Sequence, residues 1–373
     1  MQISSNFDAG NIEVLDCTHA NDIQLAIRKD NQSDFYQWFY FRLTGAQGQP
    51  CTLKITNAGG AAYVGGFKDY QAVASYDREN WFRVDTQFDG ETLSIDHTPI
   101  TNSIYFAYFA PYSMERHADL IGWASTDSKV MYERLGATLD GQDMDLLIVG
   151  DQEKQKKNVW VIARQHPGES MAQWCIEGFL ERLLDDADPA ARELLNQANV
   201  YVVPNMNPDG SRRGHLRTNA VGSNLNREWQ NPSAEKSPEV LHVLNKMHST
   251  GVDFCLDMHG DEALPYNFIA GAEGIPAWSD YRQAELDFYK NELMASNPDF
   301  QIAKGYDVAP KGTANLTVCT NFIAHTFNCL SMTLEMPFKD TIESPNDVEG
   351  WSPARSKHLG ASNLGAILRF LQR

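Results

Sequence analysis

A histidine and a glutamate stand three residues apart in the segment His166-Pro167-Gly168-Glu169. An imidazole nitrogen and a carboxylate oxygen are both zinc ligands, so this spacing could provide two ligands from one turn. Most His-x-x-Glu pairs are surface pairs that bind no metal, and only the position in the chain favours a site. The apolar run 159–163 comes shortly before the pair, and Pro-Gly prevents that run from continuing. We therefore predict a candidate metal site in a turn at the end of a buried strand.

A second imidazole, His259, follows a second apolar run, residues 254–258. Taken alone, it would more often be a hydrogen-bonded structural histidine. Together with His166 and Glu169 it forms a set of two histidines and one glutamate, with a fourth position open to water. This arrangement is typical of catalytic zinc rather than structural zinc. The sequence thus predicts one zinc ion held by His166, Glu169 and His259.

A lone carboxylate, Glu335, interrupts the largely apolar run 330–336. Burying it without a function would cost several kcal/mol, so Glu335 lies either at the surface or in a functional site. The polar loop 205–229 also carries several arginines, whose planar guanidinium groups can pair with a carboxylate. From composition alone, a solvated basic loop is the simpler interpretation of this segment.

Alternating strands and helices are predicted to position these residues. Strands are predicted at 146–150, 159–163, 200–204, 252–258 and 330–336, and helices at 171–184, 189–197, 239–248, 278–295 and 356–372. Ser170 is predicted to cap the first of these helices. This order is typical of an α/β fold with a mixed, mostly parallel sheet flanked by helices, whose active sites usually lie at the carboxyl ends of the strands.

The first part of the chain has a different pattern, which predicts an antiparallel β-sandwich. Short β-branched and aromatic runs such as 35–41 and 51–55 are separated by Gly, Asn and Asp turns. The aromatic run 35–41 would serve either as a carbohydrate-binding face or, more simply, as part of the core between the sheets. We predict two domains, a β-sandwich over residues 1–115 and a catalytic domain over 116–373, with 114–126 as the passage between them.

Composition excludes several classes of partner. The chain has 373 residues and a formal net charge of −18, which would repel nucleic acid and an anionic membrane surface. No basic leader or membrane-spanning apolar stretch is apparent. The 6 cysteines are scattered without a C-x-x-C pair, which favours reduced thiols and a cytoplasmic location.

Several motifs together resemble the zinc carboxypeptidases of the carboxypeptidase A type. They occur in the order and spacing of that family: His166-Pro-Gly-Glu169, Asn207-Pro-Asp-Gly210, Asn226-Arg227, His259 and Thr333-Leu-Glu335. The chain is most similar to the cytosolic carboxypeptidase branch, including its bacterial members, because it also carries three further segments. These are Phe106-Ala-Tyr-Phe-Ala-Pro-Tyr112, Leu135-Gly-Ala-Thr138 and Asn224-Leu-Asn-Arg-Glu-Trp229.

The resemblance implies a role for each matching residue. His166, Glu169 and His259 would bind zinc, and Glu335 would be the general base that takes a proton from water. Arg217, with Arg213 as its competitor, would stabilise the oxyanion. Asn226 and Arg227 would hold the terminal carboxylate of the substrate, and Tyr306 would contact the substrate.

Two positions depart from the family pattern. Asn224 stands where the family often has an aspartate that orients a zinc histidine, and its amide oxygen could accept the same hydrogen bond. Asn315 stands where the cytosolic branch often has an arginine that favours acidic terminal residues, with Lys311 as a possible substitute. The resemblance therefore implies a carboxypeptidase without implying a preference for terminal glutamate.

The leading hypothesis is a zinc metallocarboxypeptidase that acts on the C-terminal peptide bond, or an isopeptide-linked glutamate, of peptides or proteins. A zinc amidohydrolase that removes acyl groups from N-acyl amino acids is the first alternative, although such enzymes usually place their extra domain after the catalytic one. A non-catalytic peptide-binding module is the second. It would have no need of the three ligands together with Glu335.

Overall fold

The structure is a computed structural model that describes residues 1–153 and 155–373. Short strands form its N-terminal part: β1 Gln2–Ser4, β2 Glu13–Asp16, β3 Ile23–Ala26, β4 Tyr40–Thr44, β5 Cys51–Ile55, β6 Val73–Ser75, β7 Phe82–Arg83, β8 Asp85–Phe88, β9 Leu93–His97 and β10 Ser103–Ala107. They make two 5-stranded sheets, in the orders β1-β4-β10-β6-β7 and β2-β3-β5-β9-β8. Each pairing is antiparallel except that of β3 with β5. The predicted sandwich is therefore present.

Aromatic side chains fill the interior of this sandwich. Phe39 and Phe41 are fully buried, and Phe41 stacks on Phe106 with 5.6 Å between ring centroids. The aromatic run 35–41 is thus mostly core rather than a binding face. The predicted bounds of this strand were wrong, because strand β4 begins only at Tyr40 and continues to Thr44.

The C-terminal part combines helices with a larger sheet. The strands are β11 Val130–Ala137, β12 Asp143–Val149, β13 Lys157–Ala163, β14 Ala198–Val203, β15 Phe254–Asp261, β16 Phe268–Ala270 and β17 Leu330–Pro337. The helices are α1 Met114–Ser125, α2 Ser170–Leu183, α3 Pro189–Gln197, α4 Pro208–Arg213, α5 Pro238–Thr250, α6 Asp280–Ser296, α7 Cys319–Phe327 and α8 Pro353–Leu371.

The sheet of 7 strands is mixed, as predicted, with the order β11-β12-β14-β13-β15-β17-β16. The central strands β14, β13, β15 and β17 are parallel, and the outer strands pair antiparallel. Parallel pairing aligns His259 of β15 with Glu335 of β17 as Cα partners. The carboxyl ends of β13, β15 and β17 therefore carry the predicted ligands and Glu335 to one edge.

The passage predicted over 114–126 contains helix α1, Met114–Ser125. One prediction about local structure, the capping role of Ser170, was wrong. Ser170 is the first residue of α2, and its hydroxyl donates to the Ala110 carbonyl at 2.9 Å instead of capping the helix. Glu169 takes the cap position, with its carboxylate directed to the two histidines.

The cysteines and the lengths of the helices were also considered in the sequence-based expectations. The 6 cysteines are free thiols, and 5 of them are buried. Across the described residues, the helices are too short or too polar to cross a membrane.

Candidate active site

The turn after β13 is held from inside by a buried arginine. Arg164 adopts a left-handed backbone conformation, with φ of 63°, and its guanidinium donates to the carbonyl oxygens of Pro167 at 3.0 Å and Tyr112 at 2.8 Å. It also donates to Gln173 Oε1 on α2 at 2.6 Å. These bonds fix both the turn and the start of α2, so the side chains of His166 and Glu169 are held on one side of the turn.

The three predicted ligands form a buried cluster. Glu169 Oε1 lies 2.6 Å from His166 Nδ1, and Glu169 Oε2 lies 2.8 Å from His259 Nδ1. The two Nδ1 atoms are 3.2 Å apart, and candidate ligand atoms of all three residues lie within 4.8 Å of one another. Such close convergence of two imidazoles and a carboxylate suits a small cation.

The outer nitrogen of each imidazole has a hydrogen-bond acceptor behind it. His166 Nε2 lies 3.1 Å from Asn224 Oδ1, and His259 Nε2 lies 2.9 Å from Asp257 Oδ2. Asn226 N also donates to Asn224 Oδ1, which identifies that atom as the acceptor. Acceptors at both Nε2 atoms direct the Nδ1 lone pairs toward the centre of the cluster.

The carboxylates of Asp257 and Glu169 favour a positive charge at His259. Burial, and then the charge of Arg217, lowers the pKa of His166 to about 4. Burial also opposes charge on His259, but the carboxylates of Asp257 and Glu169 raise its pKa well above the usual value. A divalent cation bound among these groups would supply positive charge beside the two carboxylates. The donor set, its outer hydrogen bonds and its charge therefore fit zinc.

Glu335 lies beside the cluster, and one of its carboxylate oxygens makes no hydrogen bond to the described residues. Its side chain is 7% exposed, and Oε2 has no hydrogen-bond partner among the described residues. Burial raises the pKa of Glu335 well above the usual value, and the nearby carboxylate of Glu169 adds to this effect. A buried carboxylate oxygen without a partner is costly, which is the mark of a group kept for function.

All of the predicted site residues line one cavity of about 670 Å³. They are His166, Glu169, Arg217, Asn226, Arg227, His259, Tyr306 and Glu335. The structure thus brings the whole set together, while the individual roles stay predictions. Arg213, the competitor of Arg217, instead forms a two-bond ion pair with Asp140 at 2.7 and 2.8 Å on the surface.

Two residues expected to bind substrate also form hydrogen bonds within the protein. Asn226 Oδ1 accepts from Cys319 N at 2.9 Å, which leaves the amide NH₂ as its remaining donor. The Tyr306 hydroxyl donates to Asp261 Oδ2 at 2.6 Å, and the Tyr306 side chain is half exposed.

The positions that depart from the family pattern have different environments. Asn224 makes the hydrogen bond to His166 that its amide oxygen allows. Asn315 Oδ1 accepts from Thr317 N and Oγ1, so this side chain stabilises a turn. The lysines that line the cavity are Lys290 and Lys304, rather than Lys311.

Sequence reasoning missed two residues of the site. Asp257 supports His259, and the alternation Asp257-Met258-His259 on a strand could have indicated this, because both side chains face the same side. Tyr63, from the N-terminal sandwich, lines the cavity as well. No sequence signal marks Tyr63, since its place depends on how the two domains pack.

Comparison with known families agrees with this geometry. Residues 122–350 match the zinc carboxypeptidase family, and residues 3–109 match the cytosolic carboxypeptidase N-terminal domain.

Solved structures and curated relatives extend the match. A metallo-carboxypeptidase from Burkholderia cenocepacia is 49% identical, with a TM-score of 0.98, over 100% of this chain and 99% of that one. A metallo-carboxypeptidase from Pseudomonas aeruginosa, solved with (2-guanidinoethylmercapto)succinic acid, is 46% identical, with a TM-score of 0.97 and the same coverage. Cytosolic carboxypeptidase 4 of Mus musculus is 26% identical over 73% of this chain, which spans only 28% of the mouse protein.

Proposed function

The chain belongs to the zinc carboxypeptidase family and is a metallocarboxypeptidase, and on this premise we propose that it removes the C-terminal residue of peptides or proteins. The main observation in support of this proposal is the buried cluster of His166, Glu169 and His259 beside Glu335. The same cavity contains Arg227 and Asn226, which could bind a terminal carboxylate. A metal cluster and a carboxylate site in one cavity suit cleavage of the last peptide bond.

We assign one zinc ion to the three ligands. When bound, zinc would polarise the scissile carbonyl and lower the pKa of water. Glu335 takes a proton from the attacking water and returns it to the departing amine. Arg217 donates hydrogen bonds to the carbonyl oxygen as negative charge develops there, an interaction worth roughly 3 kcal/mol in comparable sites.

Substrate orientation is assigned to three side chains. Arg227 and the free NH₂ of Asn226 hold the terminal carboxylate, which restricts cleavage to the last residue. Tyr306 contacts the substrate by exchanging its Asp261 partner for a polar group of the bound peptide.

A pair of matched peptides tests the proposal. One peptide has a free C-terminal carboxylate and the other a C-terminal amide, and mass spectrometry follows the products from the zinc-loaded protein. We expect loss of single residues from the free acid and none from the amide. Cleavage of N-acyl amino acids instead of peptides would assign the chain to the zinc amidohydrolases. Tight peptide binding without cleavage would indicate a binding module.

The compound bound to the Pseudomonas aeruginosa relative, (2-guanidinoethylmercapto)succinic acid, provides a second test. It combines a succinate, which offers two carboxylates, with a guanidinium arm. We expect its carboxylates to bind at the metal cluster and at Arg227, and its guanidinium to pair with Asp261 and Glu273, which line the cavity. We expect competitive inhibition of peptide cleavage. Inhibition that does not depend on peptide concentration would place its site elsewhere.

A further inference from the structure

The segment that carries Arg217 is bound along its length by the N-terminal domain. We call residues 212–220, which run from the last residues of α4 toward the Asn224 loop, the arginine segment. Its backbone carbonyls at 212, 214 and 220 accept hydrogen bonds from Ala9 N at 3.0 Å, Asn11 Nδ2 at 2.9 Å and Asn31 Nδ2 at 2.6 Å. Residues far earlier in the chain therefore fix this part of the active-site cavity.

The side chain of Asp30 accepts four hydrogen bonds from the arginine segment. Its buried carboxylate accepts from Leu216 N at 2.7 Å, Arg217 N at 2.8 Å and Thr218 N at 2.9 Å. Thr218 Oγ1 donates to the same carboxylate at 3.0 Å. Hydrogen bonds to an ionised carboxylate are stronger than neutral ones, so four of them hold the backbone of Arg217 firmly.

The arginine segment is also connected to the metal cluster. The carbonyl oxygen of Leu216 accepts from Gly168 N at 2.8 Å, within the turn between His166 and Glu169. A β-carbon at Gly168 would lie only 2.9 Å from that oxygen, so the approach requires glycine. Asp30, the arginine segment and the metal-ligand turn thus form one continuous set of contacts.

Two rings of the N-terminal domain flank the guanidinium of Arg217. Its carbon lies 5.7 Å from the ring centre of Phe35 and 5.3 Å from that of Tyr63, distances at which cation–π attraction operates. Gln37, which is fully buried, holds the backbone of Tyr63 with hydrogen bonds of 2.8 and 3.0 Å. Arg217 lines the same cavity as His166, Glu169 and His259.

We propose that Asp30 is a positioning residue for catalysis: it fixes the backbone of Arg217, while Phe35 and Tyr63 direct the guanidinium toward the metal cluster. This inference rests on the proposed function, in which Arg217 stabilises the oxyanion. It assigns the N-terminal domain a direct part in the chemistry of the neighbouring domain. Because Arg217 then acts on the transition state, its displacement should lower kcat more than it raises KM.

The test compares Asp30→Asn with the wild type in the full-length, zinc-loaded protein. We expect kcat to fall by roughly ten- to a hundredfold, since small displacements of a catalytic group have effects of this size. KM and zinc content should stay within about twofold of wild type, as expected when only transition-state stabilisation is lost. The matched control is Asp34→Asn in the same loop, where the carboxylate is exposed and pairs with Lys29, and it should leave kcat unchanged. Unchanged kcat in Asp30→Asn would overturn the inference.

A double-mutant cycle identifies the residue through which Asp30 acts. If it acts through Arg217, adding Asp30→Asn to Arg217→Ala should change kcat by less than about twofold. Fully multiplicative losses would show that Asp30 acts elsewhere and would overturn the inference. Wild-type turnover in Arg217→Ala would contradict the proposed role of Arg217 itself, and this result is distinguishable because it appears in the single variant.

Tyr63 provides a route that avoids the buried carboxylate, in case Asp30→Asn does not fold. Tyr63→Leu removes the ring, while Tyr63→Phe keeps it and removes only the hydroxyl. We expect the leucine variant to lose more kcat than the phenylalanine variant. Equal losses in both would mean that the hydroxyl, rather than the ring beside Arg217, matters, which contradicts the positioning role.

Discussion

The two metal-site histidines are supported by groups of different charge. A carboxylate, Asp257, stands behind His259, whereas a neutral amide, Asn224, stands behind His166. A charged acceptor strengthens the electron donation of an imidazole more than a neutral one does. Of the two proposed histidine ligands, we therefore expect His166 to be the one whose metal binding depends on a neutral hydrogen-bond acceptor.

Changes at Asn224 should alter zinc affinity in both directions. We expect Asn224→Ala to weaken zinc binding by roughly ten- to a hundredfold, because the outer hydrogen bond of His166 is lost. Asn224→Asp should bind zinc more tightly than wild type, since it restores a charged acceptor. Competition with a chromogenic chelator measures all three affinities. Identical values would show that this hydrogen bond has no influence on the metal.

Glu335 should be required for turnover and dispensable for binding. Glu335→Gln keeps the shape of the side chain but cannot accept the proton of water, so kcat should fall by roughly two decades or more. Zinc content and peptide affinity should remain near those of wild type, which equilibrium dialysis and calorimetry can establish. A variant that stays nearly as active as wild type would remove Glu335 from the role of base.

At this scale the sequence was most informative where chemistry is local. The turn with His166 and Glu169 follows a strand that is recognisable from five apolar residues, and His259 follows another. Asp30 and Tyr63 could not be predicted in the same way. Asp30 meets the arginine segment 186 to 188 positions later in the chain, and only the packing of the domains brings them together.

Among the elements, α2, which begins at the metal cluster, packs closely across α8. Two glycines allow the helices to approach closely. A β-carbon at Gly360 would lie 1.8 Å from the Cys175 carbonyl oxygen, and one at Gly178 would lie 2.1 Å from that of Lys357. Neither backbone can yield without moving a whole helix.

Gly360→Ala should therefore destabilise the protein by roughly 1–3 kcal/mol, as overpacking does elsewhere. Gly365→Ala on the same helix is the matched control. Its β-carbon would lie 3.7 Å from the nearest neighbouring atom, and alanine favours helix over glycine, so it should be neutral or stabilising. Urea unfolding of both variants measures the difference. Equal stabilities would contradict the close crossing.

Helix α5 carries a buried acid that makes stability depend on pH. Burial raises the pKa of Glu239 from its ordinary value of 4.5 to about 7, while Asn219 donates to its carboxylate. Between these pH values the folded chain keeps a proton that the unfolded chain has released. Stability therefore falls as pH rises through this interval, by an amount on the order of 3 kcal/mol.

Glu239→Gln should remove that loss, because glutamine stays neutral at every pH. We expect the variant to be more stable than wild type at pH 8 and similar to it at pH 4. Exposed Glu235, replaced by Gln, is the control and should leave the pH profile unchanged. Thermal unfolding across this pH range measures the effect. Parallel profiles for Glu239→Gln and wild type would contradict the raised pKa.

Elements with a strong apolar pattern were predicted well, and those without one were missed. Helix Pro189–Gln197 begins and ends as predicted, helped by Asp188 as its cap. Helix Cys319–Phe327 was missed because no side chain caps its start and it is only 9 residues long. The short edge strand Phe268–Ala270 was missed as well, since three residues carry too little pattern.

Across the whole molecule, the two domains share an interface with two groups of contacts. The first group comprises the contacts of the arginine segment. In the second group, Arg83 of β7 donates to the carbonyls of Phe338 at 2.9 Å and Trp351 at 3.0 Å, and Lys339 donates to that of Lys68 at 2.6 Å. Tyr108 stacks on Phe338 with 4.6 Å between centroids. Phe338 lies three residues after Glu335, so this interface also supports the strand that carries the base.

The protein should consequently unfold as one cooperative unit, and zinc should stabilise the domain that does not bind it. A ligand that binds only the folded state adds stability that grows with its concentration, about 2.7 kcal/mol at a hundredfold excess over Kd. If the domains are coupled, zinc should slow amide hydrogen exchange in strand Cys51–Ile55, within the sandwich, as much as in strand Leu330–Pro337. Leu53→Ala, a core change in the sandwich, should likewise lower the temperature of a single calorimetric transition. Two transitions, of which only one responds to zinc, would mean that the N-terminal domain folds independently of the active site that it borders.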